Sequence, residues 1–465
     1  MDEIASQAAK TTPSHADALV RRSAFHGVRV AVSSIWARFQ ERLDLSPART
    51  TLHIAVWIAA GVIGLAAVAY ARLIALLQGM FFTAFARSPW VVALSGPFLF
   101  LAAVWIVRRF GPDAKGSGIP QVLVAIEGAE GLKGEEAPWT HSLVSLRTAA
   151  VKVISSAIGI LGGASIGREG PTVQIAAAGF AWFGHRLHRY THQIEFRTFL
   201  TAGAAAGVAA AFNTPIAGVT FAIEELGGNV MGMFRQIVML AIIISGIVAQ
   251  GVSGNYLYFG KPAIVHTDVV TMIAEAIGIG LLAGALGGLF ARMLARPGWV
   301  WLPKPWWARA LLTGAVCAAI GYYTHGDTAG SGYEVTRRAL ESQTLDGVDP
   351  LFPIAKLLTT SLSYLSGMAG GIFSPSLSIG AGVGLAVAKI IGLANFRTCA
   401  LLGMVAFFSG AVRAPLTAVI IVMEMTDERL LVIPFMIAAF LAYSAGRRIQ
   451  SEPLYHYLAH RYTNA

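Results

Sequence analysis

Long apolar stretches separated by short polar segments recur from near the start of the chain to near its end. Several of them contain fewer than the roughly 20 residues that a helix perpendicular to a bilayer needs. Short spans interrupted by glycine are typical of tilted or broken helices around a binding site. We therefore predict an all-α polytopic membrane protein built from tilted and partial helices. The stretches are Leu52–Tyr70, Val91–Val107, Val153–Ile166, Ile237–Val252, Ala276–Phe290, Leu311–Tyr322, Val383–Leu393 and Val432–Tyr443.

Composition and charge agree with this class of protein. Of the 465 residues, 55% are hydrophobic and 13% are charged, which is far more apolar than an ordinary soluble domain. The net charge of +10 does not indicate nucleic-acid binding, because basic residues concentrate from Lys10 to Arg49, before the first stretch, and from Arg447 to Arg461, after the last. By the positive-inside rule we predict a multi-pass protein of the cell inner (plasma) membrane with both termini in the cytoplasm. Phe25–Leu45 predicts an amphipathic helix on the inner leaflet.

The chain also contains an internal repeat. Gly203–Glu224 aligns with Gly403–Glu424 at an offset of 200 positions, and Gly167–Pro171 aligns with Gly371–Pro375 at an offset of 204. Repeats in transporters often run in opposite directions and place the substrate site between them, but a repeat in sequence does not itself show the inversion. Packing needs alone would explain part of the pattern, because many shared residues are small. The predicted layout is a cytoplasmic N-terminal segment (1–50), a transmembrane domain (51–450) with repeats of about 52–252 and 268–445, and a cytoplasmic C-terminal end (451–465).

Three glycine–proline breaks interrupt the apolar pattern: GSGIP at 116–120, GREGP at 167–171 and GIFSP at 371–375. Glycine permits an irregular backbone, and proline suits the first turn of a helix, where its missing N–H is not needed. A helix that begins inside the membrane exposes unpaired N–H groups and the positive end of its dipole. Any one break alone is more typical of a structural kink. Three helix ends brought together predict an anion site.

The cost of burying an ion and the energy of hydrogen bonds to it indicate which groups suit such a site. Burying a bare monovalent ion in a medium of low dielectric constant costs on the order of 20 kcal/mol. Hydrogen bonds to a charged partner contribute roughly 1–3 kcal/mol each, so several N–H and hydroxyl groups hold an anion and still allow its release. The backbone amides of Ile372 and Phe373 and the hydroxyl of Ser117 fit this requirement.

Arg168 and Glu169 interrupt a run from Val153 to Gly184 that is otherwise uncharged. Glu169 precedes a predicted helix N-terminus, where the partial positive charge that attracts an anion also attracts a carboxylate. When ionised, this side chain would block the anion site, and when protonated it would leave it. We predict that Glu169 competes with the anion and carries a proton. The alternative is a structural ion pair with Arg168, although consecutive residues on a helix point apart.

Two further motifs suggest other functions. Ser165 lies in a G-x-S-x-G pattern at 163–167, which in hydrolases presents a nucleophilic serine on a strand–turn–helix. Here the pattern continues into an apolar helix, so an intramembrane hydrolase is a remote alternative. His185, His188 and His192 have a spacing that could bind a metal, but the arginines between them favour a solvated basic segment. We predict no metal and no cofactor.

Small and sulfur-containing residues in the apolar stretches predict helix packing. Gly280, Gly284 and Gly288 recur at every fourth position, which lets two helices approach closely. Cys317 and Cys399 both lie in apolar surroundings. We expect both thiols to be buried and unpaired.

The ordered motifs resemble those of the CLC family of chloride channels and chloride/proton antiporters. GSGIP, GREGP and GGIFSP are followed by Tyr455 in PLYHYL, in the family's order and across two homologous halves. The resemblance covers about 52–458. It implies an inverted repeat of tilted, partial helices in a homodimer, with one anion pathway in each subunit. It also implies that chloride is the bound ligand and the substrate.

The resemblance implies a role for each residue of the anion site. Ser117 and Tyr455 correspond to the hydroxyls that coordinate chloride, and Ile372 and Phe373 correspond to the backbone amides that complete the site. Serine at position 117 implies a preference for chloride over nitrate. Glu169 corresponds to the external gating glutamate, which competes with chloride and carries a proton.

The segment FAIEEL, at 221–226, resembles the part of the antiporters that carries an internal proton-transfer glutamate. The second glutamate of the pair, Glu225, takes that role by the resemblance. Glu224 is the alternative, although its repeat partner Glu424 favours a structural role for Glu224. Channel members usually have an apolar residue at the position of Glu225. The resemblance therefore implies a secondary-active chloride/proton antiporter, which is not an enzyme, and the alternative is a passive gated chloride channel.

Two positions affect how closely the family pattern applies. The family commonly has proline before the Gly370–Gly371 pair, where this chain has Ala369. We expect this difference to loosen the loop without removing the amides that follow. Tyr457 lies close to Tyr455 and is the alternative for the coordinating tyrosine.

Overall fold

The computed structural model describes residues 47–130, 142–187, 195–227, 233–254, 257–262, 264, 268–345 and 349–463. The chain divides into two units, Met1–Ile54 and Ala55–Ala465. In the first unit the structure describes the start of the first helix. The amphipathic helix predicted for Phe25–Leu45 lies outside the described residues.

Every long regular element in these ranges is an α-helix, as the apolar pattern predicts. Proline occupies the first turn of several helices, where its fixed φ angle favours the helix start. In chain order the helices are α1 Pro47–Arg87, α2 Pro89–Phe110, α3 Ile119–Gly128, α4 Leu146–Leu161, α5 Glu169–Leu187, α6 Phe196–Phe212, α7 Pro215–Glu224, α8 Met233–Ser253, α9 Val269–Ala295, α10 Trp306–Tyr323, α11 Tyr333–Glu341, α12 Phe352–Ser366, α13 Phe373–Ile391, α14 Phe396–Val412, α15 Pro415–Thr426, α16 Val432–Ile449 and α17 Leu454–Thr463.

The helices combine full and partial membrane spans. Among the described residues, 6 helices are long and apolar enough to cross a membrane. The shorter apolar helices, of 10–17 residues, are α3, α6, α7, α14 and α15. The protein is therefore an all-α polytopic membrane protein with tilted and partial helices.

Some helix limits differ from the sequence prediction. Helix α1 continues past Tyr70 to Arg87, because no proline interrupts the segment. Helix α4 ends at Leu161, before the predicted limit at Ile166. Two glycines follow Leu161, and the φ angle of Gly163 is +76°, which a helix cannot continue.

Helices α6 and α14 were absent from the predicted apolar stretches. Alanine and glycine dominate α6, and all its residues except Arg197 are buried. Helix α14 is likewise buried along its whole length. Both lie inside the protein, α6 with mostly small side chains and α14 with large apolar ones such as Leu401 and Phe407 as well.

The two halves of the chain are inverted, and helices α7 and α15 show this directly. Glu224, at the end of α7, accepts hydrogen bonds of 3.0 and 2.7 Å from the amides of the second and third residues of α15. Glu424, near the end of α15, accepts hydrogen bonds of 3.2 and 2.7 Å from the equivalent amides of α7. Each helix therefore places its C-terminal end at the N-terminal end of the other. The repeat-related helices run antiparallel, which the sequence alone could not show.

The glycine pattern of α9 serves helix packing, as predicted. A Cβ atom added at Gly284 would lie 2.3 Å from the Cα atom of Ala442 in α16, and one at Gly288 would lie 2.7 Å from the Cα atom of Gly446. No larger residue fits at either position without a backbone shift. Cys317 and Cys399 are buried and unpaired, also as predicted.

Candidate functional site

The three glycine–proline breaks come together in the structure and hydrogen-bond to one another. Gly116 donates to the carbonyl of Met368 at 2.8 Å, and the carbonyl of Gly116 accepts from Gly370 at 3.0 Å. Gly167 and Gly371 exchange two backbone hydrogen bonds, of 2.7 and 2.8 Å. The GREGP and GIFSP breaks, which belong to opposite halves, therefore form one short antiparallel bridge.

Each break leads directly into a helix, so three helix N-termini face the same region. Helices α3, α5 and α13 begin at Ile119, Glu169 and Phe373. The left-handed φ angle of Gly118, +106°, turns the chain into α3. The breaks also touch: a Cβ atom added at Gly170 would lie 2.3 Å from Oγ of Ser117. These helix ends bring unpaired amides and positive dipole ends into a buried region.

The predicted anion-coordinating groups are buried and unsatisfied. The hydroxyls of Ser117 and Tyr455 have no hydrogen-bond partner among the described residues. Among the described residues, the backbone amides of Ile372 and Phe373 take part in none of the backbone–backbone hydrogen bonds outside the helices. Because buried polar groups are normally satisfied, this set of donors is suited to a bound anion. Tyr457, the alternative tyrosine, is partly exposed, whereas Tyr455 is fully buried.

Glu169 is the first residue of α5, whereas the sequence predicted that it precedes the helix, and it is 1% exposed. Its Oε1 atom accepts a hydrogen bond from the hydroxyl of Tyr258 at 3.2 Å. Its Oε2 atom has no partner in the described part of the chain. The side chain folds back over Gly167, where an added Cβ atom would lie 2.4 Å from Oε2. The carboxylate therefore lies against the bridged breaks.

The alternative ion pair between Arg168 and Glu169 is only a long contact. Nε of Arg168 lies 4.0 Å from Oε1 of Glu169, beyond the distance of a charge-assisted hydrogen bond. The guanidinium also donates to the carbonyl of Ala71 at 2.9 Å and stacks on the ring of Tyr258 at 5.3 Å. Arg168 thus has its own contacts and does not hold Glu169 in a tight pair.

A cavity of about 950 Å³ opens next to this carboxylate. Arg168 and Tyr258 form part of its wall, as do Tyr333, Asp327 and Arg338. Since Tyr258 contacts Glu169 on one side and the cavity on the other, it separates the buried carboxylate from open space.

The adjacent glutamates at the end of α7 have different surroundings. Glu224 binds the N-terminus of α15, as described above. Glu225 is 2% exposed and follows the last residue of α7. Its Oε1 atom lies 3.6 Å from Nδ1 of His456 on α17, and neither atom has a hydrogen-bond partner among the described residues. The structure therefore gives Glu224 the structural contact that its repeat partner predicted.

Three residues near the site were missed from the sequence. Lys152 is fully buried and donates to the carbonyl of Gly116 at 3.0 Å, which fixes the GSGIP break. As a charged residue directly before the uncharged run that starts at Val153, it was visible in the sequence. Nothing in the sequence marked Tyr258 or His456, because each is distant in sequence from the glutamate that it contacts.

The other predicted features do not form a competing site. The hydroxyl of Ser165 is 2.8 Å from Oγ1 of Thr360, so its observed partner is another hydroxyl and not a base. The described residues contain no cluster suited to a metal ion, and His188 and His192 lie outside them. The amide of Ala369 donates to Oγ of Ser155 at 3.1 Å, a bond that a proline could not make. This bond holds the loop that we expected to be looser.

Comparisons with known proteins agree with this geometry. The family model described as voltage gated chloride channel matches residues 99–447. The H(+)/Cl(-) exchange transporter ClcA of Citrobacter koseri is 30% identical over 450 residues, covering 92% of this chain and 91% of that protein. ClcA of Vibrio cholerae serotype O1 is 31% identical over 393 residues, covering 80% of each chain.

Solved structures show the same fold. The crystal structure of a slow cyanobacterial Cl⁻/H⁺ antiporter superposes with a TM-score of 0.75 at 25% identity, covering 88% of this chain and 97% of that one. A eukaryotic CLC transporter gives a TM-score of 0.70 at 21% identity, covering 89% of this chain and 74% of that one. The chain belongs to the voltage-gated chloride channel family, the CLC family that its motifs resemble.

Proposed function

We propose that this protein is a secondary-active antiporter that moves chloride across the membrane in exchange for protons. The observation that carries the proposal is the convergence of three helix N-termini on a buried carboxylate, Glu169. The relatives named above are H(+)/Cl(-) exchange transporters, and the structural neighbour at 25% identity is a Cl⁻/H⁺ antiporter. Like them, the chain is a transport protein and not an enzyme.

In this proposal chloride is coordinated by the hydroxyls of Ser117 and Tyr455 and the amides of Ile372 and Phe373. These groups are dipoles and carry no full charge. Roughly 1–3 kcal/mol from each hydrogen bond to a charged partner offsets much of the cost of dehydrating the ion, without trapping it. Their unsatisfied state among the described residues supports this assignment.

Glu169 is proposed to be the gating acid. When ionised, its carboxylate takes the place of chloride at the positive helix ends, and when protonated it loses that attraction and leaves the site. One chloride ion and one ionised carboxylate would therefore exclude each other. The unpartnered Oε2 atom and the long contact to Arg168 support a side chain that can move.

Glu225 is proposed to be the second proton station. It is buried, and unlike Glu224 it is not held by the end of another helix. A titratable acid here is what separates an exchanger from the alternative, a passive gated chloride channel. Movement of a proton between Glu225 and Glu169 would couple the two fluxes.

We further propose the following setting for the transport unit. Both termini lie in the cytoplasm and the protein resides in the inner membrane, with the layout of 1–50, 51–450 and 451–465 given above. Two copies form a homodimer with one pathway each.

Reconstitution of the purified protein in liposomes tests the proposed function. An imposed chloride gradient should drive protons against their own gradient, because exchange couples the two flows. Protein-free liposomes and a proton ionophore provide the controls. Chloride flux with no uphill movement of protons would contradict exchange and identify a channel.

A further inference from the structure

A histidine lies beside the buried acid at the end of α7. Nδ1 of His456 and Oε1 of Glu225 are 3.6 Å apart. Neither atom has a hydrogen-bond partner among the described residues. If side-chain rotation shortened this nitrogen–oxygen distance by about 0.7 Å, the two atoms would form an ordinary hydrogen bond.

The two side chains differ in their access to solvent. The side chain of Glu225 is 3% exposed, whereas that of His456 is 37% exposed. The imidazole thus contacts the buried carboxylate with one nitrogen while the side chain as a whole reaches the surface. An imidazole has two nitrogens that can gain and lose protons separately, so a residue in this position can pass a proton between solvent and a buried acid.

The charged groups around His456 favour its protonated form. They are Glu225 at the end of α7, Glu127 on α3 and Glu452 just before α17. The Glu225 carboxylate does most to raise the pKa of His456 above its ordinary value, while burial acts in the opposite direction. The protonated imidazole therefore persists to higher pH than in solvent.

We propose that His456 relays protons between solvent and Glu225. This inference rests on the proposed role of Glu225 in proton transfer. In one direction the carboxylic acid of Glu225 gives its proton to neutral Nδ1 of His456, which leaves a carboxylate and an imidazolium. The imidazolium then releases a proton from its other nitrogen to water. The opposite direction reverses both steps, and no bond other than O–H and N–H changes.

His460 supplies a matched control on the same helix. Its Nε2 atom lies 2.7 Å from Oε1 of Glu452, so it forms the same type of pair, but both of those side chains are solvent-accessible. A general effect of removing a histidine from α17 would appear in either variant. An effect of the relay would appear only at His456.

The test measures chloride-driven proton transport and chloride flux in liposomes for His456→Gln and His460→Gln. We expect His456→Gln to lower proton transport about tenfold, because a positioned acid–base group is lost, and to retain chloride flux. His460→Gln should match the unmodified protein. Addition of imidazole should restore proton transport to His456→Ala, which removes the ring and leaves space for a free one. Rescue of this kind would not occur if His456 only supported the fold.

Proton transport in His456→Gln equal to that of His460→Gln would overturn the relay, as would a loss in His456→Ala that imidazole does not reverse. Glu225→Gln separates this inference from the proposed function. If Glu225→Gln abolishes proton transport and His456→Gln does not change it, only the relay is wrong. If Glu225→Gln leaves proton transport unchanged, the role of Glu225 is wrong and the relay fails with it.

Discussion

Glu169 and Glu225 are both buried carboxylates, but the first lies at the N-terminal end of a helix and the second at the C-terminal end of another. Glu169 begins a helix, at the positive end of its dipole, and accepts a hydrogen bond from Tyr258. Glu225 follows the end of a helix, at the negative end of its dipole, and faces an imidazole. The first environment attracts any anion, so a carboxylate and a chloride ion compete there. The second places its acid after a helix C-terminal end and beside an imidazole, which suits proton exchange between the acid and that histidine.

The comparison predicts that removing the charge of Glu169 has the largest effect. In Glu169→Gln a neutral amide imitates the protonated acid permanently, so proton transport should be abolished while chloride flux remains. Liposome assays of both fluxes measure this result. Uphill proton movement in Glu169→Gln would show that Glu169 is not the gating acid.

Glu225→Gln should also separate the two fluxes, but without changing the anion site. We expect proton transport to fall to background and chloride binding to stay as in the unmodified protein, because the proposed chloride-coordinating groups do not include Glu225. Isothermal titration with chloride, together with the flux assay, measures both. If proton transport persists in Glu225→Gln and is lost in Glu224→Gln, the two adjacent glutamates have the reverse roles.

Glu224 and Glu424 should matter for stability instead. Each accepts two backbone hydrogen bonds from the helix of the other half, so Glu224→Ala and Glu424→Ala should each lower the free energy of unfolding by about 1–3 kcal/mol. Thermal unfolding in detergent measures the change. The control is Glu130→Ala, which removes a solvent-exposed pair with Arg197 and should cost about 1 kcal/mol or less. Unequal losses for the two glutamates would contradict their symmetric roles.

Tyr258→Phe should have the smallest effect. It removes the hydroxyl that donates to Glu169. We expect the free-energy cost of moving the carboxylate out of its position to fall by about 1 kcal/mol and the chloride transport rate to rise about fivefold. Tyr333→Phe is the matched control, because its ring contacts Tyr258 while its hydroxyl accepts a hydrogen bond from Arg337. Equal chloride transport rates in the two variants would show that the Tyr258 hydroxyl does not restrain Glu169.

The sequence predicted where the helices of the site begin, but it did not predict which segments hydrogen-bond to those helix starts. Glycine and proline act on their own local backbone, so the breaks before α3, α5 and α13 were visible in the sequence. The repeat indicated that the last two belong to related halves. The hydrogen bonds between Gly116 and Gly370 and between Gly167 and Gly371 required the fold, because the segments they join are more than 200 residues apart.

The residues that contact the two acids were beyond the reach of local patterns. Tyr258 follows the last helix of the first half, where nothing in the sequence marks it as a neighbour of Glu169. His456 directly follows Tyr455, yet its proximity to Glu225 depends on how α17 packs near the end of α7. The antiparallel relation of α7 and α15 also needed coordinates, since a repeat in sequence has no direction in space.

Anomalous X-ray diffraction from crystals of Glu169→Gln grown in bromide locates the anion relative to the acid. Bromide resembles chloride and reports its own position. We expect an anomalous peak within hydrogen-bond distance of the hydroxyls of Ser117 and Tyr455 and the amide of Phe373, together with a peak where the Glu169 carboxylate lies in the unmodified protein. Bromide peaks elsewhere and none at these groups would contradict a shared site for the anion and the acid.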